Sequence, residues 1–122
     1  MRIKSLMNSK KVVAGDGVHL RELVNPVNDE GFTGRYSLAE AILLPGYKSK
    51  KHRLKTHELY FVVEGHAVIH QGEESAVIEQ GDAVEIPPGT VQWIDNSGGS
   101  EPFVFLCVVD PAWRPEDEEI LE

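Results

Sequence analysis

The chain has 122 residues, of which 41% are hydrophobic and 26% are charged, and its net charge is −8 at pH 7 with histidine neutral. That length is typical of one domain and is sufficient to bury a hydrophobic core. The negative charge disfavours nucleic acids and anionic membrane surfaces as partners, because both attract proteins through positive charge.

The sequence also lacks the features of secreted and membrane proteins. No apolar run approaches the roughly 18 residues that span a bilayer, and the first residues lack the apolar block of a secretory signal. A single cysteine excludes an internal disulfide framework and fits a reducing compartment. We therefore expect a cytoplasmic protein that consists of one domain, residues 1–122, and has no membrane partner.

Short β-type segments follow one another along the chain, separated by turn residues about every eight to twelve positions, and this pattern predicts an all-β sandwich or barrel. Residues 36–44 are also compatible with a short helix, but Pro45 and Gly46 follow directly and favour a strand. The core is expected between residues 18 and 110, with an acidic peripheral tail over 114–122. The predicted strands are Val18 to Val24, Tyr36 to Leu44, His52 to Val63, Ala67 to His70, Ser75 to Ile78, Ala83 to Ile86, Val91 to Ile94 and Phe103 to Val109.

The segment from residue 52 to 63 carries the residues of most chemical interest. Side chains alternate between the two faces of a strand, so His52, Glu58 and Tyr60 share one face, while His57 points the other way. If the even positions face the barrel interior, Glu58 is a buried carboxylate, which is unfavourable unless it is paired, metal-bound or neutralised. The pattern therefore predicts that Glu58 has a function inside the barrel.

Two motifs in this region resemble the conserved motifs of the cupin superfamily in spacing and in order. The first consists of Gly46, His52, Leu54, Glu58 and Gly65, and the second of Gly81, Pro87, Gly89, Gln92 and Asn96. The resemblance implies a small cupin barrel of the jelly-roll type, a double-stranded β-helix, with its site in the mouth of the barrel.

The cupin pattern implies four metal ligands, and this sequence keeps only part of that set. His52 and Glu58 stand at ligand positions, whereas Leu54 and Gln92 stand where the pattern has histidines. The resemblance implies a divalent metal (Zn, Fe, Mn or Ni) held by His52, Glu58 and Gln92, although an amide oxygen is a weaker donor than imidazole. The alternative is a metal-free pocket in which these three residues bond to one another or to a ligand.

Two functions are compatible with these residues. The first is a small-molecule enzyme in which Glu58 acts as acid, base or ligand and Tyr60 orients the substrate or donates a proton. The second is a non-catalytic module that binds or senses a ligand, in which Tyr60 is a packed core residue. Fold resemblance alone does not choose between them.

A basic strip, defined as Lys48, Lys50, Lys51, Arg53 and Lys55, precedes and overlaps the first motif. One interpretation is that it steers a small anionic metabolite toward the pocket. The other is that it pairs with the acidic residues between 116 and 122, in the same subunit or in a partner.

The remaining residues of note are assigned to the outside or to the core. We expect a homodimer that covers an apolar outer face including Leu59, Phe61 and Val63. His19, His57, His70 and Trp93 are expected outside the pocket, and burial is expected to raise the pKa of Cys107.

Overall fold

The computed structural model describes residues 1–122, and it consists of antiparallel strands apart from two short 3-10 helices at Leu6–Asn8 and Pro115–Asp117. Neither of these three-residue helices could span a bilayer. The strands are β1 (Lys11–Val13), β2 (His19–Val24), β3 (Ser37–Leu43), β4 (His52–Leu54), β5 (His57–Glu64), β6 (His66–Gln71), β7 (Glu74–Glu79), β8 (Ala83–Ile86), β9 (Gln92–Asp95), β10 (Phe103–Asp110) and β11 (Glu118–Ile120).

The strands form two sheets. One has six strands in the order β1-β2-β3-β10-β5-β8, and the other has five in the order β11-β4-β9-β6-β7. Strands that are neighbours in the chain often belong to different sheets, so the chain passes repeatedly from one layer to the other, as in a jelly roll. The prediction of an all-β double-stranded β-helix is confirmed.

The hydrophobic core lies between the two sheets and follows the alternation of each strand. Val62 and Phe103 on the larger sheet are fully buried, and Ile69 and Ile94 on the smaller sheet belong to the same cluster. Complete burial of a Val, Ile or Phe side chain stabilises a fold by about 1.5–3 kcal/mol. The core therefore joins the two sheets into one unit.

The segment from residue 52 to 63, predicted as one strand, is in fact two. β4 belongs to the five-stranded sheet and β5 to the six-stranded sheet, with Lys55 and Thr56 between them. The prediction was wrong because a strand pattern does not indicate where the chain turns from one sheet to the other. The connection has two residues, so the alternation continues across it and the even-numbered residues remain on the inside.

Part of the acidic tail predicted over 114–122 forms a strand. β11 pairs with β4, and Glu118, Glu119 and Ile120 lie opposite Leu54, Arg53 and His52, respectively. This strand extends the smaller sheet next to the first motif. Neither β1 nor β11 was predicted, since both are three residues long and carry charged residues.

The motif glycines allow sharp turns at the ends of strands. Gly65, between β5 and β6, has a φ of +84°, and a Cβ atom there would lie 2.6 Å from the carbonyl oxygen of Pro102. Only glycine fits this position, because a side chain would be strained by the backbone conformation and would also collide with the neighbouring main chain.

Candidate functional site

A cavity of about 50 Å³ lies between the two sheets. That volume is sufficient for about three or four water molecules, or for a ligand group of similar size. Its apolar lining consists of Ala14, Val18, Leu20, Ala41, Leu54, Ile94 and Phe105, and its polar lining of Asp16, Ser49, His52, Glu58, Tyr60, Cys107, Trp113 and Glu118.

Glu58 lies in the wall of this cavity and accepts hydrogen bonds at both of its carboxylate oxygens. The Tyr60 hydroxyl donates to Gln92 Oε1 at 3.0 Å, and Gln92 Nε2 donates to Glu58 Oε1 at 2.5 Å. The Cys107 thiol donates to the other carboxylate oxygen, Oε2, at 3.4 Å. All four side chains are on adjacent strands or face each other across the barrel, so the fold fixes the orientation of the Glu58 carboxyl group.

The buried position of Glu58 changes its acidity. Burial raises the pKa of Glu58 above its ordinary value of 4.5, while the charge of His52, the nearby Tyr60 hydroxyl and the hydrogen bonds from Cys107 and Gln92 oppose the change. Burial also raises the pKa of Tyr60 and of Cys107 well above their ordinary values, and the charge of Glu58 adds to both shifts. The hydroxyl and the thiol therefore remain protonated donors at neutral pH, and the prediction for the pKa of Cys107 is confirmed.

His52 also lines the cavity, and a protein group lies close to each of its two ring nitrogens. Its Nδ1 lies 2.8 Å from the carbonyl oxygen of Lys50, which can only accept a hydrogen bond, so Nδ1 carries a hydrogen. Its Nε2 faces the Asp16 carboxylate at a distance of 3.5 Å. The backbone carbonyl of Asp16 in turn accepts from the amide of Lys50. The loop around Asp16 is therefore fastened to the strand that carries His52.

The structure brings the predicted site residues together. His52, Glu58 and Tyr60 are buried and line one cavity, and Gln92 lies behind its wall, where it joins Tyr60 to Glu58. His57 points outward, as its position in the strand predicts, and its Nε2 lies 2.9 Å from Glu85.

The other residues that were expected outside the pocket also lie outside the cavity lining. His70 and Trp93 stack on each other with ring centroids 4.3 Å apart, and the ammonium group of Lys51 lies 4.7 Å from the Trp93 ring. His19 is exposed on β2.

Three ionisable residues of the cavity were missed by the sequence analysis. Asp16 lies in a loop before β2, Cys107 lies in the middle of an apolar strand, and Glu118 lies in an acidic run that is typical of solvent-exposed chain. None of them has a motif around it. The only available signal was the alternation along β10, where Cys107 shares a face with the buried residues Phe105 and Val109.

The arrangement fits a metal ion poorly. Leu54 contributes no ligand atom, and both polar atoms of the Gln92 amide are engaged by Tyr60 and Glu58. No group of three or more His, Cys, Asp and Glu side chains is arranged to hold a metal. The metal site of His52, Glu58 and Gln92 stays a prediction, and no step below depends on it.

The charges around the cavity differ from those of the surface strip. The lining includes three carboxylic acids but no lysine or arginine. Within the basic strip, Arg53 forms an ion pair with Glu119 at 2.8 Å, and the amide of Lys51 donates to the Glu122 carboxylate. These contacts favour pairing of the strip with the C-terminal segment over steering of an anion.

Comparison with known proteins gives consistent matches. A profile of the Cupin domain family matches residues 39–109. An uncharacterized protein of Methanocaldococcus jannaschii is 37% identical over 114 residues, which cover 93% of this chain and 89% of that protein.

Solved structures share the architecture at lower sequence identity. The polyketide cyclase RemF from Streptomyces resistomycificus has a TM-score of 0.81 at 19% identity, with 100% of this chain and 86% of the other covered. A nucleoside dehydratase from Streptomyces has a TM-score of 0.76 at 16% identity, with 100% of this chain and 92% of the other covered. At these identities the likeness extends to the fold alone.

Proposed function

The chain belongs to the cupin domain family, and we propose that it is a small-molecule enzyme that transfers protons within the cavity without a bound metal ion. The substrate is a small polar molecule, one group of which enters the cavity between the two sheets.

The observation that carries this proposal is the position of the Glu58 carboxyl group. It is only 3% exposed, lines the cavity and is held by hydrogen bonds to both of its oxygen atoms. Proton transfer requires a group whose orientation is fixed and whose acidity suits both states near neutral pH. Burial moves Glu58 in that direction, because it raises the pKa of the carboxyl group.

The surrounding residues have separate roles in this proposal. Gln92 and Tyr60 are positioning residues, since they hold one oxygen of Glu58 and leave the carboxyl group facing the cavity. His52 lines the same cavity, and its Nε2, 3.5 Å from Asp16 Oδ2, is the ring nitrogen that contacts the substrate or exchanges a proton with it.

Proton transfer alone needs no oxidant or reductant, so the residues of this chain are sufficient for it. The proposal is in keeping with two structural neighbours of this chain, one named as a dehydratase and the other as a cyclase. Their substrates are not carried over, because the likeness is one of fold.

The test uses protein purified without a histidine tag or a chelator. A panel of small hydroxylated metabolites is screened for a rise in Tm, and the compounds that bind are incubated with the protein in D2O. Deuterium incorporation at carbon reports proton transfer without knowledge of the complete reaction. Glu58→Gln is expected to lower the rate by about 100-fold or more, whereas Glu85→Gln, an exposed carboxylate on β8, leaves it unchanged.

Two results would overturn the proposal. Activity that disappears with a chelator and returns with Zn, Fe, Mn or Ni would instead support the metal site of His52, Glu58 and Gln92. Compounds that raise Tm but never incorporate deuterium would support the second candidate, a non-catalytic binding or sensing module. The small volume of the cavity favours this second candidate.

A further inference from the structure

The C-terminal strand places a carboxylate in the cavity. On β11, Glu118 and Ile120 are half-buried and face inward, while Glu119 is exposed on the other side. Glu118 lies opposite Leu54 in the pairing with β4 and belongs to the cavity lining.

One oxygen of Glu118 has a protein partner and the other has none. Oε2 accepts a hydrogen bond from the Trp113 indole at 3.0 Å. Oε1 is buried and unpaired, and it is one of only two buried side-chain polar atoms in the molecule without a partner, the other being Thr56 Oγ1. A buried carboxylate oxygen without a hydrogen bond is unfavourable, so this atom is suited to bind a donor group from a ligand.

Gly15, near the N-terminal end of the chain, lies next to Glu118 Oε1, and its lack of a side chain leaves room there. A Cβ atom on Gly15 would lie 3.2 Å from Glu118 Oε1, so a side chain at that position would press on the carboxylate. The next residue, Asp16, is in the same cavity wall, with its Oδ2 facing His52. Two carboxylates from distant parts of the sequence therefore belong to the lining of one cavity.

We propose that Glu118 is a ligand-recognition residue and that it selects a ligand carrying an ammonium or hydroxyl group rather than a carboxylate or phosphate. This proposal rests on the proposed function only for the location of the site. The lining has three acids and one histidine but no lysine or arginine, so a donor group finds acceptors there, whereas an anion meets like charge. An anionic metabolite, which the sequence suggested, is disfavoured for this reason.

The test compares three small probes of similar size and different charge: ethylammonium, ethanol and acetate, at matched ionic strength. Binding is followed by the NMR signal of the Trp113 indole N–H, because that group is bonded to Glu118. At a ceiling of about 1.5 kcal/mol per heavy atom, a three-atom probe binds at best with a Kd of about 0.5 mM and the four-atom acetate with a Kd of about 40 μM. The expected order of affinity is ethylammonium, then ethanol, with acetate not binding.

The matched pair of variants is Glu118→Gln and Glu119→Gln, since each removes one negative charge from the same strand. We expect Glu118→Gln to weaken the binding of ethylammonium by about tenfold or more, which is about 1.4 kcal/mol. The affinity for ethanol is expected to change little. Glu119→Gln is expected to leave all three affinities unchanged. Glu118→Asp retains the charge and is expected to retain the preference for ethylammonium, even if its Tm is lower.

Three outcomes would overturn the proposal: tighter binding of acetate than of ethylammonium, an equal loss for every probe in Glu118→Gln, or no shift of the Trp113 signal by any probe. These outcomes are independent of catalysis. Failure of the Glu58→Gln experiment would leave the probe selectivity intact, and failure of the probe experiment would leave proton transfer by Glu58 intact.

Discussion

Glu58 combines two opposing effects at the scale of a single residue. The Cys107 thiol, the Tyr60 hydroxyl and the Gln92 amide lie near its carboxyl group and favour the ionised form. Burial outweighs these three donors and raises the pKa of Glu58. A carboxyl group in this situation weakens the fold when it ionises, because its charge is stabilised less well inside the protein than in water. Its retention in the core is better explained by chemistry in the cavity than by stability.

This balance gives a prediction for the dependence of stability on pH. A carboxyl group whose folded pKa is raised contributes stability that is fully present below its unfolded pKa and is lost as pH rises through the folded pKa. Stability of the native protein should therefore fall, relative to Glu58→Gln, as pH rises above about 4.5. Glutamine has the same shape and can still accept the bond from Gln92.

The measurement is Tm at a series of pH values for both proteins. Because all other ionisable groups are shared, the difference between the two curves isolates Glu58. Parallel curves would show that burial does not alter the acidity of this carboxyl group in solution.

The cavity residues within the first motif could be predicted from the sequence. Those that distant segments bring to the cavity could not. The alternation along 52–60 placed His52, Glu58 and Tyr60 inside and His57 outside, and the structure agrees. Asp16 and Glu118 were missed because their positions depend on loop contacts and on the pairing of β11 with β4. Strand alternation describes the faces of a segment, but it does not specify which segments are neighbours.

At the scale of elements, the turns determine how the strands reach the two sheets. Gly65 joins β5 in the larger sheet to β6 in the smaller one, and its backbone lies against Pro102 at the start of β10. The motif glycine could be found from the sequence, whereas the contact with residue 102, which forbids a side chain there, could not.

We expect Gly65→Ala to destabilise the protein by at least about 2 kcal/mol, because it adds a backbone collision to the strain of a positive φ. Gly72→Ala is the matched control, since Gly72 also has a positive φ but has no atom within 4 Å of the added methyl group. Gly72→Ala is expected to lower the free energy of unfolding by only about 1 kcal/mol. Urea denaturation of both variants measures the two values, and equal losses would contradict the importance of the Pro102 contact.

At the scale of the whole molecule, the outer face of the six-stranded sheet is unusually apolar. Leu59, Phe61 and Val63 on β5 are 37%, 45% and 40% exposed. Water-exposed side chains of this size in one row are typical of a surface that another subunit covers. The homodimer expected from the sequence stays a prediction, and this face is the surface we assign to it.

A single charge tests this assignment. Phe61→Glu is expected to convert a dimer into a monomer, because an ionised carboxylate would be buried without a partner at the interface. Val77→Glu, on the exposed side of β7 in the other sheet, is the control and should leave the dimer unchanged. Sedimentation equilibrium gives the mass of each protein. A native protein that is monomeric at all concentrations would refute the assignment.

The hydrogen bond between Trp113 and Glu118 also allows ligand binding to be followed by the fluorescence of Trp113. The indole ring of Trp113 lines the cavity, so displacement of Glu118 by a bound molecule alters the polarity around one of only two tryptophans. The other, Trp93, is outside the cavity lining and in contact with His70 and Lys51. Replacing Trp93 with phenylalanine therefore leaves a single tryptophan, which lies at the site, and a library of unlabelled compounds can be screened by the wavelength of tryptophan emission.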